Sequence, residues 1–145
     1  MSRHLGRSQR YHRRPRTIYA LVFHGGQACY IGQSVDLDER VAQHRRPQGG
    51  WAGAPFEVVT LEVADATEAE AVELEYAWRL VAHRKGYFIY GKPGVVVDPR
   101  RRATLSRRFK SWVRRWPKDA PQASQPRVGL WVSLSLMLAG LWLMW

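Results

Sequence analysis

The chain has 145 residues, 46% of them hydrophobic and 24% charged, a length that buries one modest core and a composition that excludes wholesale disorder. Its single cysteine, Cys29, excludes a disulfide framework and any cysteine-cluster zinc site. A formal net charge of +11 points to a polyanionic partner, either nucleic acid or an anionic membrane surface.

In chain order, residues 1–16 carry six arginines and no acid. They read as a basic, disordered arm able to hold phosphates without a fold of its own. Thr17–Phe23 reads as a strand, with Ile18, Ala20 and Val22 on one face and Tyr19, Leu21 and Phe23 on the other. His24-Gly25-Gly26-Gln27 is a turn, and Ala28–Ile31 is the returning strand of a hairpin. Asp36 with Glu39 resembles a capping box and opens a helix that carries Leu37, Val41 and His44 on adjoining turns. After a loop over 48–55, Phe56–Val63 is the third strand. Thr67 and Glu70 form a second capping box, starting a helix that runs to Lys85 and stops at Gly86. Its Leu74, Trp78, Val81 stripe suits packing on a sheet.

Beyond this unit, Asp98-Pro99 has the residues of a helix start. Leu105, Phe109, Trp112, Val113 and Trp116 follow at helical spacing, with Arg100, Arg101, Arg107, Arg108, Lys110, Arg114 and Arg115 on the other face. This basic amphipathic helix, 98–116, has three possible settings: the core, a membrane interface or a phosphate backbone. Residues 117–127 form a Pro/Gln/Ser linker. Residues 128–145 are uncharged, and as a helix would span about 27 Å, close to the ~30 Å hydrocarbon core of a bilayer. Trp131 lies near one end and Trp142 and Trp145 near the other, as in an aromatic belt. The tail reads as a single transmembrane anchor, and the basic flank before it predicts a cytoplasmic position for the preceding domain.

Thr17-Ile18-Tyr19, followed by Tyr30-Ile31-Gly32, resembles the paired signature of the GIY-YIG nuclease superfamily over roughly residues 17–90. Arg40 falls where that family has its catalytic arginine, and His44 where several members have a histidine or tyrosine. Thr67–Glu75 resembles the helix that carries the metal-binding glutamate, and the register places this role on Glu75. Leu74–Trp78 is also similar to that helix in the structure-specific branch of the superfamily. Two positions depart from the pattern. Thr17 replaces the leading glycine, and Gln33 stands where many members carry lysine.

The resemblance implies catalytic roles for Tyr19, Tyr30, Arg40, His44 and Glu75, and one divalent ion, Mg²⁺ or Mn²⁺, on Glu75. A carboxylate suits a hydrated Mg²⁺, and a guanidinium fork matches phosphate oxygens. A phenol near cations can accept a proton. Tyr19 is assigned as the base and Tyr30 as its orienting partner. Taken singly, each residue also has a structural role open to it, and Glu75 with Arg79 has the spacing of an intrahelical ion pair. Candidate nucleic-acid contacts are Arg10, Arg13, Arg14, Arg16, Arg45 and Arg46.

The expectation is therefore an α/β (α+β) domain over 17–97, with a small three-stranded antiparallel or mixed sheet flanked by helices, then the basic helix and the transmembrane helix. Its expected activity is metal-dependent DNA endonuclease at a membrane, with no small-molecule cofactor. The alternatives are a catalytically inactive nucleic-acid-binding module of the same fold, a membrane-surface protein without a nucleic-acid role, and a soluble cytoplasmic location.

Overall fold

The computed structural model describes residues 10–51 and 53–124. The apolar segment 128–145, read above as a transmembrane helix, and residues 1–9 of the basic arm lie outside the described residues. Among the described residues no helix is long and apolar enough to cross a membrane.

The strands are β1 (Arg14–Phe23), β2 (Ala28–Ser34), β3 (Phe56–Ala66), β4 (Phe88–Lys92) and β5 (Val95–Val97), and the helices α1 (Leu37–Arg45), α2 (Glu68–Arg84) and α3 (Leu105–Trp112). The sheet has five strands rather than three, in the order β3-β1-β2-β4-β5. β1 pairs antiparallel with both β2 and β3, β2 and β4 run parallel, and β5 folds back antiparallel on β4. The parallel pair requires a crossover, which α2 supplies. β4 and β5 are short and joined through Pro93-Gly94, where Gly94 takes a φ of 73°.

The alternation of β1 is as expected. Ile18, Ala20 and Val22 join Cys29 and Ile31 under α2, where Trp78, Val81 and Ala82 close one core. Tyr19, Leu21 and Phe23 face the other side, with Trp51 and the partly buried Leu37 and Phe56. α2 starts at a complete capping box, Thr67 accepting from the Glu70 amide and Glu70 from the Thr67 amide. Only half of the expected box forms at α1. Asp36 caps the Glu39 amide, but the Glu39 carboxylate accepts from Gln43 instead.

Three boundaries move. β1 begins at Arg14, so residues 14–16 belong to the sheet and not to a disordered arm. The expected continuous helix from 98 is broken, because a 3-10 turn over Pro99–Arg102 ends at extended Ala103 and α3 restarts under a Thr104 cap. The third concerns the linker, whose first part is packed. Trp116 and Ala120 enter the core, Trp116 Nε1 and the Tyr87 hydroxyl both donate to the Pro121 carbonyl, and the Ser124 amide donates to Gly26 O at 3.0 Å. The strap lies so close that a Cβ on Gly26 would stand 2.5 Å from Gln122 O. Trp116→Ala is expected to destabilise the domain by about 3–5 kcal/mol, the usual cost of deleting a buried tryptophan, measured by denaturant melts.

α3 is mounted the opposite way from an ordinary surface helix, which buries its apolar stripe. Its polar side faces α2 and β3. Arg107 pairs with Glu73 at 2.6 Å, Arg114 with Glu62 at 2.7 Å, and Arg84 donates to the buried Ser111 hydroxyl at 2.8 Å.

Candidate active site

β1 and β2 pair so that Tyr19 lies opposite Gly32. A Cβ at Gly32 would stand 2.8 Å from Tyr19 Oη and 2.9 Å from the Cε1 of Tyr30. Both are inside van der Waals contact, so glycine is what lets two tyrosine rings meet over this point of β2, with centroids 6.5 Å apart. Here the terminal glycine of the second tripeptide has a packing function.

α1 brings Arg40 and His44, one turn apart, to the same place. His44 is buried, with Nε2 2.8 Å from Tyr19 Oη and its ring 5.6 Å from that of Tyr30. Burial, and then the charge of Arg40, hold the imidazole down to about 4. His44 is therefore neutral at pH 7. With its proton on Nδ1, Nε2 accepts from the Tyr19 hydroxyl.

This shift has a stability consequence. Between about pH 4 and the ordinary value of 6.5 the unfolded chain binds a proton that folded His44 refuses. The stability contributed by neutral His44 is full above that window and is lost as pH falls through it. The melting temperature of wild type is expected to fall more between pH 7 and pH 4 than that of His44→Gln. Equal losses would show that His44 does not titrate as described.

Burial pushes the Tyr19 phenol up to about 12, with Tyr30 adding to the effect and Arg40 opposing it. Burial and then Glu75 raise Tyr30, against Arg40 and Arg79. Burial also raises Glu75 on α2, opposed by Arg79 and Arg40. Tyr19, Tyr30, Arg40, His44 and Glu75, drawn from two strands and two helices, thus share one electrostatic site. Tyr30, Arg40 and His44 line a cleft of about 310 Å³ with Gln48, Trp51 and Lys92, whereas Tyr19 has no exposed surface.

Arg79 has a place in the site that its spacing alone did not disclose. It donates to Glu75 Oε1 within the helix, lies 4.8 Å from the Tyr76 ring centroid, and keeps a buried Nε without a hydrogen-bond partner. Such an orphaned donor costs about 1–3 kcal/mol. Among the described residues no group of three or more acidic, histidine or cysteine side chains is placed to hold a metal. The donor set fits a hydrated hard ion, which needs one carboxylate and keeps several waters, and it does not suit a protein-enclosed metal. Glu75, the carboxylate to which the resemblance gives that role, is paired with Arg79.

The arginines expected to meet nucleic acid are differently placed. Arg10 lies 3.4 Å from Glu68 and Arg13 2.9 Å from Glu70, both bracing the entry of β1 against the start of α2. Arg14 opens β1. Arg16 is buried and donates to Ala66 O and to Gln33 Oε1 at 3.1 Å, so Gln33, where many family members have lysine, anchors an arginine. Arg45 lies over the Phe56 ring, and Arg46 is exposed beyond α1. A larger basic wall was not expected. A cleft of about 920 Å³ is lined by Arg79, Lys92 and Arg100 to Arg102, and it shares Gly91 and Lys92 with the cleft beside Tyr30. The run of three arginines after Pro99 was its signal in the sequence.

Residues 15–87 match the family model described as the GIY-YIG catalytic domain. The chain belongs to the GIY-YIG family. Members of the GIY-YIG family are endonucleases that generally depend on a divalent metal, which places this chain among nucleases at the level of the superfamily. The match names no branch within it. No curated protein and no solved structure matches the chain.

Proposed function

We propose that the protein is a divalent-metal-dependent DNA endonuclease, anchored in a membrane by residues 128–145 with its GIY-YIG domain on the cytoplasmic side. The observation that carries the nuclease reading is the convergence of Tyr19, Tyr30, Arg40, His44 and Glu75 beside a basic cleft. The anchor is supported by the length, lack of charge and terminal tryptophans of its segment, with basic residues before it.

In this reading Arg40 offers its fork to the non-bridging oxygens of the scissile phosphate, which gain charge as water attacks. Glu75 would hold Mg²⁺ or Mn²⁺, which supplies charge neutralisation at the phosphoryl group and at the departing alkoxide. Of the two phenols, Tyr30 faces the cleft, and we assign it, as the phenolate, the proton of the attacking water; burial and Glu75 disfavour that form, so it depends on Arg40 and Arg79, which oppose the rise. Tyr19, assigned as the base on sequence grounds, is enclosed and tied to neutral His44, which suits it to orient Tyr30. Lys92 and Arg100 to Arg102 would guide the rest of the strand.

The test is cleavage by the purified full chain of duplex, flap, branched and single-stranded DNA with Mg²⁺ or Mn²⁺. Metal-dependent products are expected on at least one. Binding without cleavage on all of them would make the protein an inactive binding module of the same fold. Tyr30→Phe is expected to lose about 10²–10⁴-fold in rate, the usual share of a general base, and more than Tyr19→Phe. The opposite order would return the base to Tyr19.

A further inference from the structure

α3 shows solvent the side that a soluble domain normally hides. Leu105 is 86% exposed, Phe109 67%, Trp112 77% and Val113 58%. At 100° per residue these four fall within an arc of about 100°. Arg107, Ser111 and Arg114 occupy the opposite side and are held by Glu73, Arg84 and Glu62. The orientation is therefore fixed by buried and partly buried polar contacts. The helix does not have to turn to present its apolar side.

We propose that this face of α3 is a membrane-docking surface, which seats Leu105, Phe109, Trp112 and Val113 in the headgroup boundary of an anionic bilayer. The charge around the patch fits that occupant. Arg108 flanks the arc on one side and Lys110 on the other, while Asp119 is the only acid in residues 100–127. Leucine, phenylalanine and tryptophan framed by arginine and lysine is the composition of helices that lie in a lipid interface. A nucleic acid would pair with the cations and leave the four apolar side chains in water.

Chain length supports the same occupant. The Ser124 amide is fixed to Gly26 O at 3.0 Å, only four residues before the uncharged segment begins at Val128. Four residues reach about 14 Å at full extension, so a span entering a bilayer at Val128 holds the domain against the lipid surface. This part of the argument rests on the anchor proposed above. One inserted segment with a second, electrostatically assisted contact is a stronger attachment than either alone.

The two attachments are separable in the full chain by flotation with vesicles of phosphatidylcholine alone or mixed with phosphatidylglycerol. Alkali-resistant association of wild type reads the anchor, and its loss in Leu136→Arg/Leu138→Arg confirms that reading. In that tail-disabled variant, α3 is expected to keep a salt-sensitive association with the mixed vesicles and not with phosphatidylcholine alone. Phe109→Ser/Trp112→Ser in the same background is expected to lower the bound fraction about tenfold or more. Both side chains are exposed, so the melting temperature is expected to stay unchanged, which separates lost docking from lost folding.

Absence of residual association, or association indifferent to the serine substitutions, overturns the proposal. So does a shift from dimer to monomer caused by those substitutions without lipid, which would give the face to a second copy. A fall in DNA affinity with lipid association intact would give it to nucleic acid. If the anchor fails while the salt-sensitive association persists, the docking surface stands and the tail reading does not.

Discussion

Glu75→Gln is expected to lower metal-dependent cleavage by about 10²–10⁴-fold, because the charge that holds the ion carries several kcal/mol of transition-state stabilisation. The substitution keeps the shape of the side chain and leaves an amide oxygen to accept from Arg79, the present partner of Glu75. The fold is therefore expected to survive, with a loss of about 1–3 kcal/mol for replacing a charge-assisted contact by a neutral one. DNA binding in the presence of chelator is expected to remain near wild type, since the cationic wall of Lys92 and Arg100 to Arg102 is untouched. Single-turnover cleavage and metal-free binding, measured on the same preparation, separate the two effects. Cleavage retained by purified Glu75→Gln would remove the metal from Glu75.

Gly32→Ala adds one methyl group and is expected to be nearly as damaging. The new Cβ would lie 2.8 Å from Tyr19 Oη and 2.9 Å from Tyr19 Cζ and Tyr30 Cε1. Tyr19 cannot swing away, because it has no exposed surface and is hydrogen-bonded to His44. Both rings must shift by several tenths of an ångström, at a cost of about 1–3 kcal/mol in overpacking. Displacements on the ångström scale cost about 10²-fold in rate where reacting groups are held in register. The expected result is a folded protein with a modestly lower melting temperature and about 10²-fold slower cleavage. Wild-type cleavage by Gly32→Ala would show that the alignment of the two rings is not limiting.

The parts legible in the sequence are those set by local chemistry. Alternation in β1 separates Tyr19 from Ile18 whatever the rest of the chain does, and the Thr67–Glu70 box starts α2 through contacts three residues apart. The grouping of Tyr19, Tyr30, Arg40, His44 and Glu75 was legible only through the resemblance to the GIY-YIG signature, since no local rule joins residues of two strands and two helices. β4 and β5 escaped because they are five and three residues long and owe their pairing to the edge that β2 offers. Periodicity has little to act on in runs so short. The direction of α3 was illegible for another reason. A pattern of apolar and basic residues identifies two faces without saying which one meets the protein. Glu62 on β3 and Glu73 on α2 decide it, by accepting Arg114 and Arg107. Likewise, Glu75 and Arg79 have the spacing of an intrahelical ion pair, and the structure forms that pair while setting Glu75 within electrostatic reach of Tyr19, Tyr30 and Arg40.

The strap over Trp116–Ser124 changes what counts as a transplantable module. The family segment ends at Tyr87, yet the surface there is closed by Trp116, whose ring lies 4.9 Å from that of Tyr87, and by Pro121 and Ala120. A fragment trimmed to the matched residues would carry Tyr19, Tyr30, Arg40, His44 and Glu75 with an uncovered aromatic edge and without the Gly26–Ser124 clasp. A chimaera that borrows this nuclease unit for another protein would therefore need the chain through Ser124. The same strap limits how freely such a unit could swing, because Ser124 is fastened to the first hairpin turn of the domain.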